Sequence, residues 1–224
     1  MAVLGIDLGT QNSVLATINR GAVSVIRTEL ADRLTPSLVL FSQGHRLMGD
    51  HAAPLVRSQA KACCRAFKNL LGEMFADSPR VGRERGFQLA EIAEAEGGVA
   101  GYRLLFACSP VFVLTFVCLL VCLFNILRLP LVVCLLACAC FVRSISLPSL
   151  VRLGDQEEVV GAVRICAAFL TKLKHVAEAS TQRPVGEVVI ACPSWFREQN
   201  RQALLDAADV AGLTCLRVIS DMTA

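Results

Sequence analysis

Apolar residues run from Ala2 to Leu8, stop at Gly9, and resume from Val14 to Ile18 before Asn19-Arg20-Gly21. Two short apolar runs separated by a glycine-bearing turn predict a pair of strands, and Val23 to Ile26 adds a third after the Arg-Gly turn. The chain therefore opens as an antiparallel meander. Between Gly49 and Gly72, Leu55, Val56, Ala60, Cys63, Phe67, Leu70 and Leu71 recur at helical spacing, which predicts one broken helix ended by Gly72. Asp77 to Gly101 is polar, charged and glycine-containing, and reads as a surface excursion with at most short strands or turns. The clearest helix is predicted over about Glu157 to Ala179, where Val159, Val163, Cys166, Leu170, Leu173 and Ala177 form one face. A strand at Glu187 to Ala191, a helix from about Phe196 to Ala211 closed by Gly212, and a strand at Leu216 to Ile219 complete a βαβ unit with parallel strands.

One segment breaks this pattern. Leu104 to Leu127 holds 24 consecutive uncharged residues, and Leu129 to Val142 adds 14 more after Arg128. A 24-residue helix would be about 36 Å long, enough for a hydrocarbon core of about 30 Å. A single crossing would, however, put the flanking segments on opposite sides of a membrane, where they could not share a sheet.

Composition locates the anomaly rather than changing the class. Hydrophobic residues make up 54% of the chain, above the roughly 45–50% of soluble domains, and the excess sits in that block. Of the 11 cysteines, Cys108, Cys118, Cys122, Cys134, Cys138 and Cys140 lie inside it. The other five cysteines form no zinc spacing with one another or with His45, His51 and His175, and these cysteines read as buried small apolar residues. The net charge of +3 is scattered, which argues against a nucleic-acid surface. The N-terminus has no basic region followed by a cleavable apolar stretch, and a cytoplasmic, reducing location is the expectation.

The candidate chemistry lies at Gly5-Ile6-Asp7-Leu8-Gly9-Thr10-Gln11-Asn12, in the turn between the first two strands. Consecutive backbone N–H groups in a tight turn attract phosphate oxygens, Gly9 permits close approach, and a carboxylate at the strand end such as Asp7 can hold hydrated Mg²⁺. An Asp-x-Gly also occurs in ordinary hairpins, and by itself the spacing leaves both readings open.

Gly5 to Ser13 resembles the first phosphate loop of the heat-shock protein 70 family, within the wider actin and sugar-kinase-like superfamily. Asp32-Arg33-Leu34-Thr35-Pro36-Ser37, Leu47-Met48-Gly49-Asp50, Lys68-Asn69-Leu70-Leu71-Gly72, Val189 to Phe196 and Ala211 to Ile219 resemble further segments in the family's order. The resemblance covers Ala2 to Gly72 and Asp155 to Ala224, is weak over Asp77 to Leu105, and omits the apolar block. Cys63 to Gly72, Cys215 and the final motif are most similar to the heat-shock protein 110 branch. Where the main branch has Asn-Glu-Pro-Thr-Ala, this chain has Ser220-Asp221-Met222-Thr223-Ala224: the carboxylate is one methylene shorter and the proline is gone.

The resemblance implies the first lobe of an actin-like, ribonuclease H-like α/β ATPase domain, a mixed sheet flanked by helices. It assigns residues 1–105 and 150–224 to that lobe and implies that a second lobe and a substrate-binding domain lie outside the chain, which leaves these residues with little turnover. It implies ATP/ADP and Mg²⁺ as cofactors, unfolded client proteins or partner chaperones as macromolecular partners, and slow ATP hydrolysis in the full-length parent. Asp7 would hold the magnesium shell through water, and Gly9, Thr10, Gln11 and Asn12 would contact phosphates. Lys68 would position the attacking water, Asp221 would stand near magnesium, and Pro193 with Arg201 would relay nucleotide state between domains. Apart from the resemblance, Lys68 and Arg201 read as solvated helix charges, Pro193 as a strand end and Asp221 as a helix cap. Residues 106–149 read as a translated intron or gene-model error, with a membrane-spanning segment as the alternative. The rival functions are a sugar kinase of the same superfamily and a membrane-anchored non-enzymatic protein.

Overall fold

Alternation in the first strand, β1 (Ala2–Asp7), puts Leu4 and Ile6 in the core and leaves Val3 and Asp7 exposed. The computed structural model describes residues 2–19, 21–42, 45–106 and 156–223. Strands β2 (Asn12–Asn19) and β3 (Ala22–Val25) continue β1 as the expected antiparallel meander. β3 is an edge strand with all four residues exposed.

The next stretch departs from expectation. A two-residue strand, β4 (Thr35–Pro36), pairs with the start of β2. β5 (Leu38–Ser42), β6 (His45–Met48) and β7 (Cys63–Arg65) form a separate antiparallel sheet in the order β6-β5-β7. The single broken helix expected over Gly49 to Gly72 is replaced by 3₁₀ turns at Gly49–His51, Ala53–Leu55, Ala60–Ala62 and Phe67–Leu70, with β7 among them. Ala66, in the interior of the stretch, takes a positive φ of 48°, which no continuous right-handed helix accommodates. The helical spacing nonetheless identified buried positions, because Cys63, Phe67, Leu70 and Leu71 are all in the core.

A second correction concerns Asp77 to Gly101. It contains a nine-residue helix, α1 (Pro79–Phe87), whose N-cap Ser78 accepts a hydrogen bond from the Arg80 amide at 3.2 Å. β8 (Glu91–Glu94) and β9 (Ala100–Phe106) follow as an antiparallel pair. β10 (Gln156–Gly161) lies beside β9, so the strands flanking the apolar block are neighbours in one sheet. The block itself, residues 107–155, lies outside the described residues. Among the described residues no helix is long and apolar enough to cross a membrane.

The long helix α2 (Ala162–Thr181) starts later than the pattern suggested because β10 occupies the preceding residues. It buries Ile165, Cys166, Phe169, Leu170 and Leu173, each large side chain worth about 1.5–3 kcal/mol of transfer free energy. The helix ends at Gln182, in the left-handed region at φ 53°, two residues before Pro184.

β11 (Val185–Cys192), α3 (Glu198–Val210) and β12 (Thr214–Ser220) form the expected βαβ unit with parallel strands. β11 also pairs in parallel with β1, which gives the sheet order β12-β11-β1-β2-β3. The result is a mixed sheet flanked by helices, three parallel strands continuing into an antiparallel meander, as in the actin-like ATPase domain whose first lobe the sequence resembled.

Candidate functional site

Because β1, β11 and β12 are parallel neighbours, their carboxyl ends lie together. Asp7 registers against Ala191, and Cys192 against Ser220. The Asp221 amide then donates to the Cys192 carbonyl at 2.7 Å, fixing the turn after β12 beside the end of β11. Crevices outside the carboxyl ends of parallel strands are where α/β sheets bind ligands.

The turn from β1 to β2 is tight at Gly9. A Cβ built there would lie 1.8 Å from the Asn12 carbonyl oxygen, so only glycine fits without moving backbone. Ser37 holds the turn from behind. Its Oγ donates to the Gly9 carbonyl at 2.8 Å and lies 2.9 Å from Ser13 Oγ, and its amide donates to the Gln11 carbonyl at 2.8 Å. Among the described residues the Thr10 and Gln11 amides donate to no protein group, which leaves them available to an oxyanion. Thr10, Gln11 and Asn12 line an open cleft of ≈ 460 Å³ together with Arg65 and Glu84.

Lys68 is 5% exposed, and its Nζ donates to the Leu8 carbonyl at 2.5 Å. It sits on the 3₁₀ turn Phe67–Leu70, between the left-handed residues Ala66 and Gly72. Burial pulls its pKa below the ordinary lysine value, opposed by the negative charges of Asp221 and then Asp7. Local pattern suggested a solvated helix charge; pairing with a carbonyl sixty residues upstream makes it a buried ammonium that feels the charges of two exposed carboxylates.

The Lys68 turn is clamped on its C-terminal side. Gly72 packs against α3 so closely that a Cβ would meet the Gln199 carbonyl oxygen at 2.6 Å. Asn200, 1% exposed, donates through Nδ2 to the Leu71 carbonyl at 2.7 Å and to Glu73 Oε1 at 3.0 Å, and accepts from the Arg197 amide at 2.9 Å. Sequence reasoning gave Ser13, Ser37 and Asn200 no role. Thr35-Pro36-Ser37 was visible as a resembling segment, but the brace it forms depends on β4 pairing with β2.

Pro193 is buried, and its carbonyl accepts from the Phe196 amide at 3.0 Å in the turn leading to α3. Arg201, half-buried in the first turn of α3, lies near enough to Cys192 to oppose the upward push that burial gives that thiol. Asp7, the Gly9–Asn12 loop, Lys68, Pro193, Arg201 and Asp221 are thus gathered about one end of the sheet. No group of three His, Cys, Asp or Glu side chains among the described residues is placed to chelate a metal directly.

Comparison with known proteins adds the family context. The chain matches the family model described as Hsp70 protein over residues 3–105 and 145–224. It is 27% identical over its whole length to heat shock 70 kDa protein 4 of Rattus norvegicus, of which it covers 21%. It is 28% identical over its whole length to heat shock protein hsp88 of Neurospora crassa, covering 25% of that chain. Over 98% of its length it is 26% identical to a heat shock protein homolog of Saccharomyces cerevisiae, again covering 25%. The chain therefore spans between a fifth and a quarter of the length of these curated relatives.

Proposed function

The chain belongs to the Hsp70 protein family, and on that premise we propose that it binds Mg-ATP at the carboxyl ends of β1, β11 and β12 as part of a chaperone or nucleotide-exchange co-chaperone. The observation that carries this reading is Lys68, a buried ammonium held on the loop carbonyl of Leu8 and flanked by the charges of Asp7 and Asp221. Within the family we place it in the heat-shock protein 110 branch, on the resemblance of Cys63 to Gly72 and of Cys215.

In this reading Gly9, Thr10, Gln11 and Asn12 cradle the phosphates, with the Thr10 and Gln11 amides facing oxygen atoms. Magnesium suits the site, because it keeps most of its waters and needs only one or two carboxylates, which Asp7 and Asp221 provide. Bound there, the ion would neutralise phosphate charge. Lys68 supplies a fixed positive charge in a dry setting, where such a charge stabilises a transferring phosphoryl group most strongly, and it orients the attacking water. Asp221 on its shorter side chain stands back by about one methylene from the family's glutamate, which slows hydrolysis rather than binding.

We assign the interdomain relay to Pro193 and Arg201. Pro193 follows Cys192 in the chain and the Arg201 charge acts on the Cys192 thiol; because the Cys192 carbonyl holds the Asp221 turn, displacement of that turn by a phosphate would in this reading be felt at both residues. Client proteins or partner chaperones are the macromolecular partners in this proposal. We also propose that residues 106–149 are a translated intron or gene-model error; the family match stops at residue 105 and resumes at 145, which supports the reading for residues 106–144. A spliced message carrying the segment in frame would overturn it.

The functional test is a calorimetric titration of the protein with Mg-ATP. Saturable, magnesium-dependent heat that disappears in Asp7→Ala is the expected result. Absence of any ATP binding by the native protein would remove the proposal.

A further inference from the structure

Thr10 faces a second group of side chains that the nucleotide reading above does not use. An open cleft of ≈ 320 Å³ runs from Thr10 along α1, walled by Asn69, Arg80, Arg83, Phe87 and Trp195. Three of these residues are anchored by the site itself: Thr10 follows Gly9, Asn69 follows Lys68, and Trp195 lies three positions after Cys192. Glu84 also borders the cleft, but its two carboxylate oxygens accept from Asn69 Nδ2 at 2.8 Å and Gln88 Nε2 at 2.9 Å.

The two arginines differ in a way that matters chemically. Arg80 is held in place, its guanidinium carbon 3.5 Å from the centre of the Trp195 ring and its Nε 3.7 Å from Glu73 Oε1. Arg83, on the next turn of α1, is exposed and makes no ion pair or hydrogen bond among the described residues. A free guanidinium on α1, in a cleft shared with loop amides that lack partners, offers planar donors to a second oxyanion next to one already bound.

We infer, resting on the nucleotide-binding reading, that Arg83 is a specificity-determining residue which engages the terminal phosphate of a triphosphate lying between the Gly9–Asn12 loop and α1. Arg80, packed on Trp195, shapes the wall behind it. The adjoining cleft shares Thr10, Glu84 and Phe87 and adds Arg65, so positive charge continues around the loop tip. On this inference a monophosphate held by the loop stops short of Arg83, whereas a triphosphate reaches it along the shared cleft.

Trp195 is the only tryptophan in the chain and borders the cleft, so its fluorescence reports occupancy directly. The experiment titrates the full chain with Mg-ATP, AMP and inorganic tripolyphosphate, reading Trp195 emission alongside calorimetry. The native protein is expected to respond to Mg-ATP and tripolyphosphate and to bind AMP far more weakly. Arg83→Ala should weaken both polyphosphate ligands about tenfold, leave AMP unchanged, and be partly rescued by Arg83→Lys. Arg83 is exposed, so an unchanged thermal melt shows that the variant is folded. If Arg83→Ala retains the native ATP affinity and the native preference over AMP, the inference is overturned while the nucleotide reading stands. Arg83-dependent binding of tripolyphosphate without any ATP binding supports the anion subsite and removes the nucleotide reading. No response to either polyphosphate overturns both.

Discussion

Replacing Asn200 tests whether the clip between α3 and the Lys68 turn is a real determinant of the site. Asn200→Ala removes a bond to the Leu71 carbonyl, a bond from the Arg197 amide and a bond to the Glu73 carboxylate, all at 3.0 Å or less. The two neutral bonds contribute about 1 kcal/mol each and the charge-assisted one about 1.5 kcal/mol, since the Glu73 side chain is largely buried. The expected loss is therefore about 3 to 4 kcal/mol, which in a domain of this size lowers the midpoint of thermal unfolding by roughly 10 °C. Asn200→Asp discriminates between packing and polarity. It keeps the acceptor for Arg197 but turns a carboxylate oxygen toward the Leu71 carbonyl and Glu73, so at neutral pH it should be at least as damaging as Asn200→Ala. Glu73→Gln in that background restores a donor and should recover part of the loss. Urea unfolding at pH 7, with calorimetric melting, measures all four proteins. A loss under 1 kcal/mol for Asn200→Ala, or an Asn200→Asp protein as stable as the native one, would refute the reasoning.

Three further outcomes follow from the geometry. Gly9→Ala places a methyl carbon against the Asn12 carbonyl oxygen and must open the loop, so ATP affinity should fall by more than about tenfold while the melt changes by a few kcal/mol at most; unchanged affinity by calorimetry contradicts this. If Lys68 faces the phosphoryl group as proposed, Lys68→Met placed in the full-length parent should cut its turnover by about a hundredfold or more with ATP affinity altered only a few-fold, and native turnover of that parent variant would exclude the assigned role. Burial pushes the Cys166 thiol from 9.0 up to about 12, so the folded state keeps a proton that the unfolded chain loses between those values. The stabilisation is complete below pH 9 and is lost as pH rises toward 12, at up to about 1.4 kcal/mol per pH unit, and Cys166→Ala should flatten the decline in reducing urea titrations at pH 8, 9 and 10.

Much of the main sheet was legible because its strands obey period-two alternation next to turn residues. Leu4 and Ile6 point inward from β1, Gly212 closes α3 with a φ of 66°, and the βαβ unit follows from helix and strand periods alone. The stretch from Gly49 to Gly72 misled because Ala-rich apolar spacing marks burial, not conformation; the left-handed residue Ala66 in its interior decides the backbone, and a non-glycine gives no local sign of that. α1 was missed because Val81 is its only buried residue, leaving no apolar stripe to read. At the site, the loop was recognisable from contiguous residues. The burial of Lys68, the Ser37 brace and the Asn200 clip each join residues far apart in the chain, and only the resemblance pointed to Lys68 at all.

The central position of β1 sets an order of events on the ribosome. Residue 7 registers against residue 191, and the Asp221 turn closes the site after β12. At synthesis rates of about 5–20 residues per second, and without residues 106–149, roughly 8–34 s separate the emergence of the Gly9 loop from that of Asp221. Until β11 emerges, one edge of β1 has backbone donors and acceptors and no partner strand, the condition in which nascent sheets pair wrongly. A slow codon or a pause before β11 lengthens the exposure, and a substitution that weakens the β1–β2 hairpin makes it more dangerous without touching any native contact of β11. The Gly9 loop is among the first pieces of this chain to be made, and the turn that faces it across the sheet end is among the last.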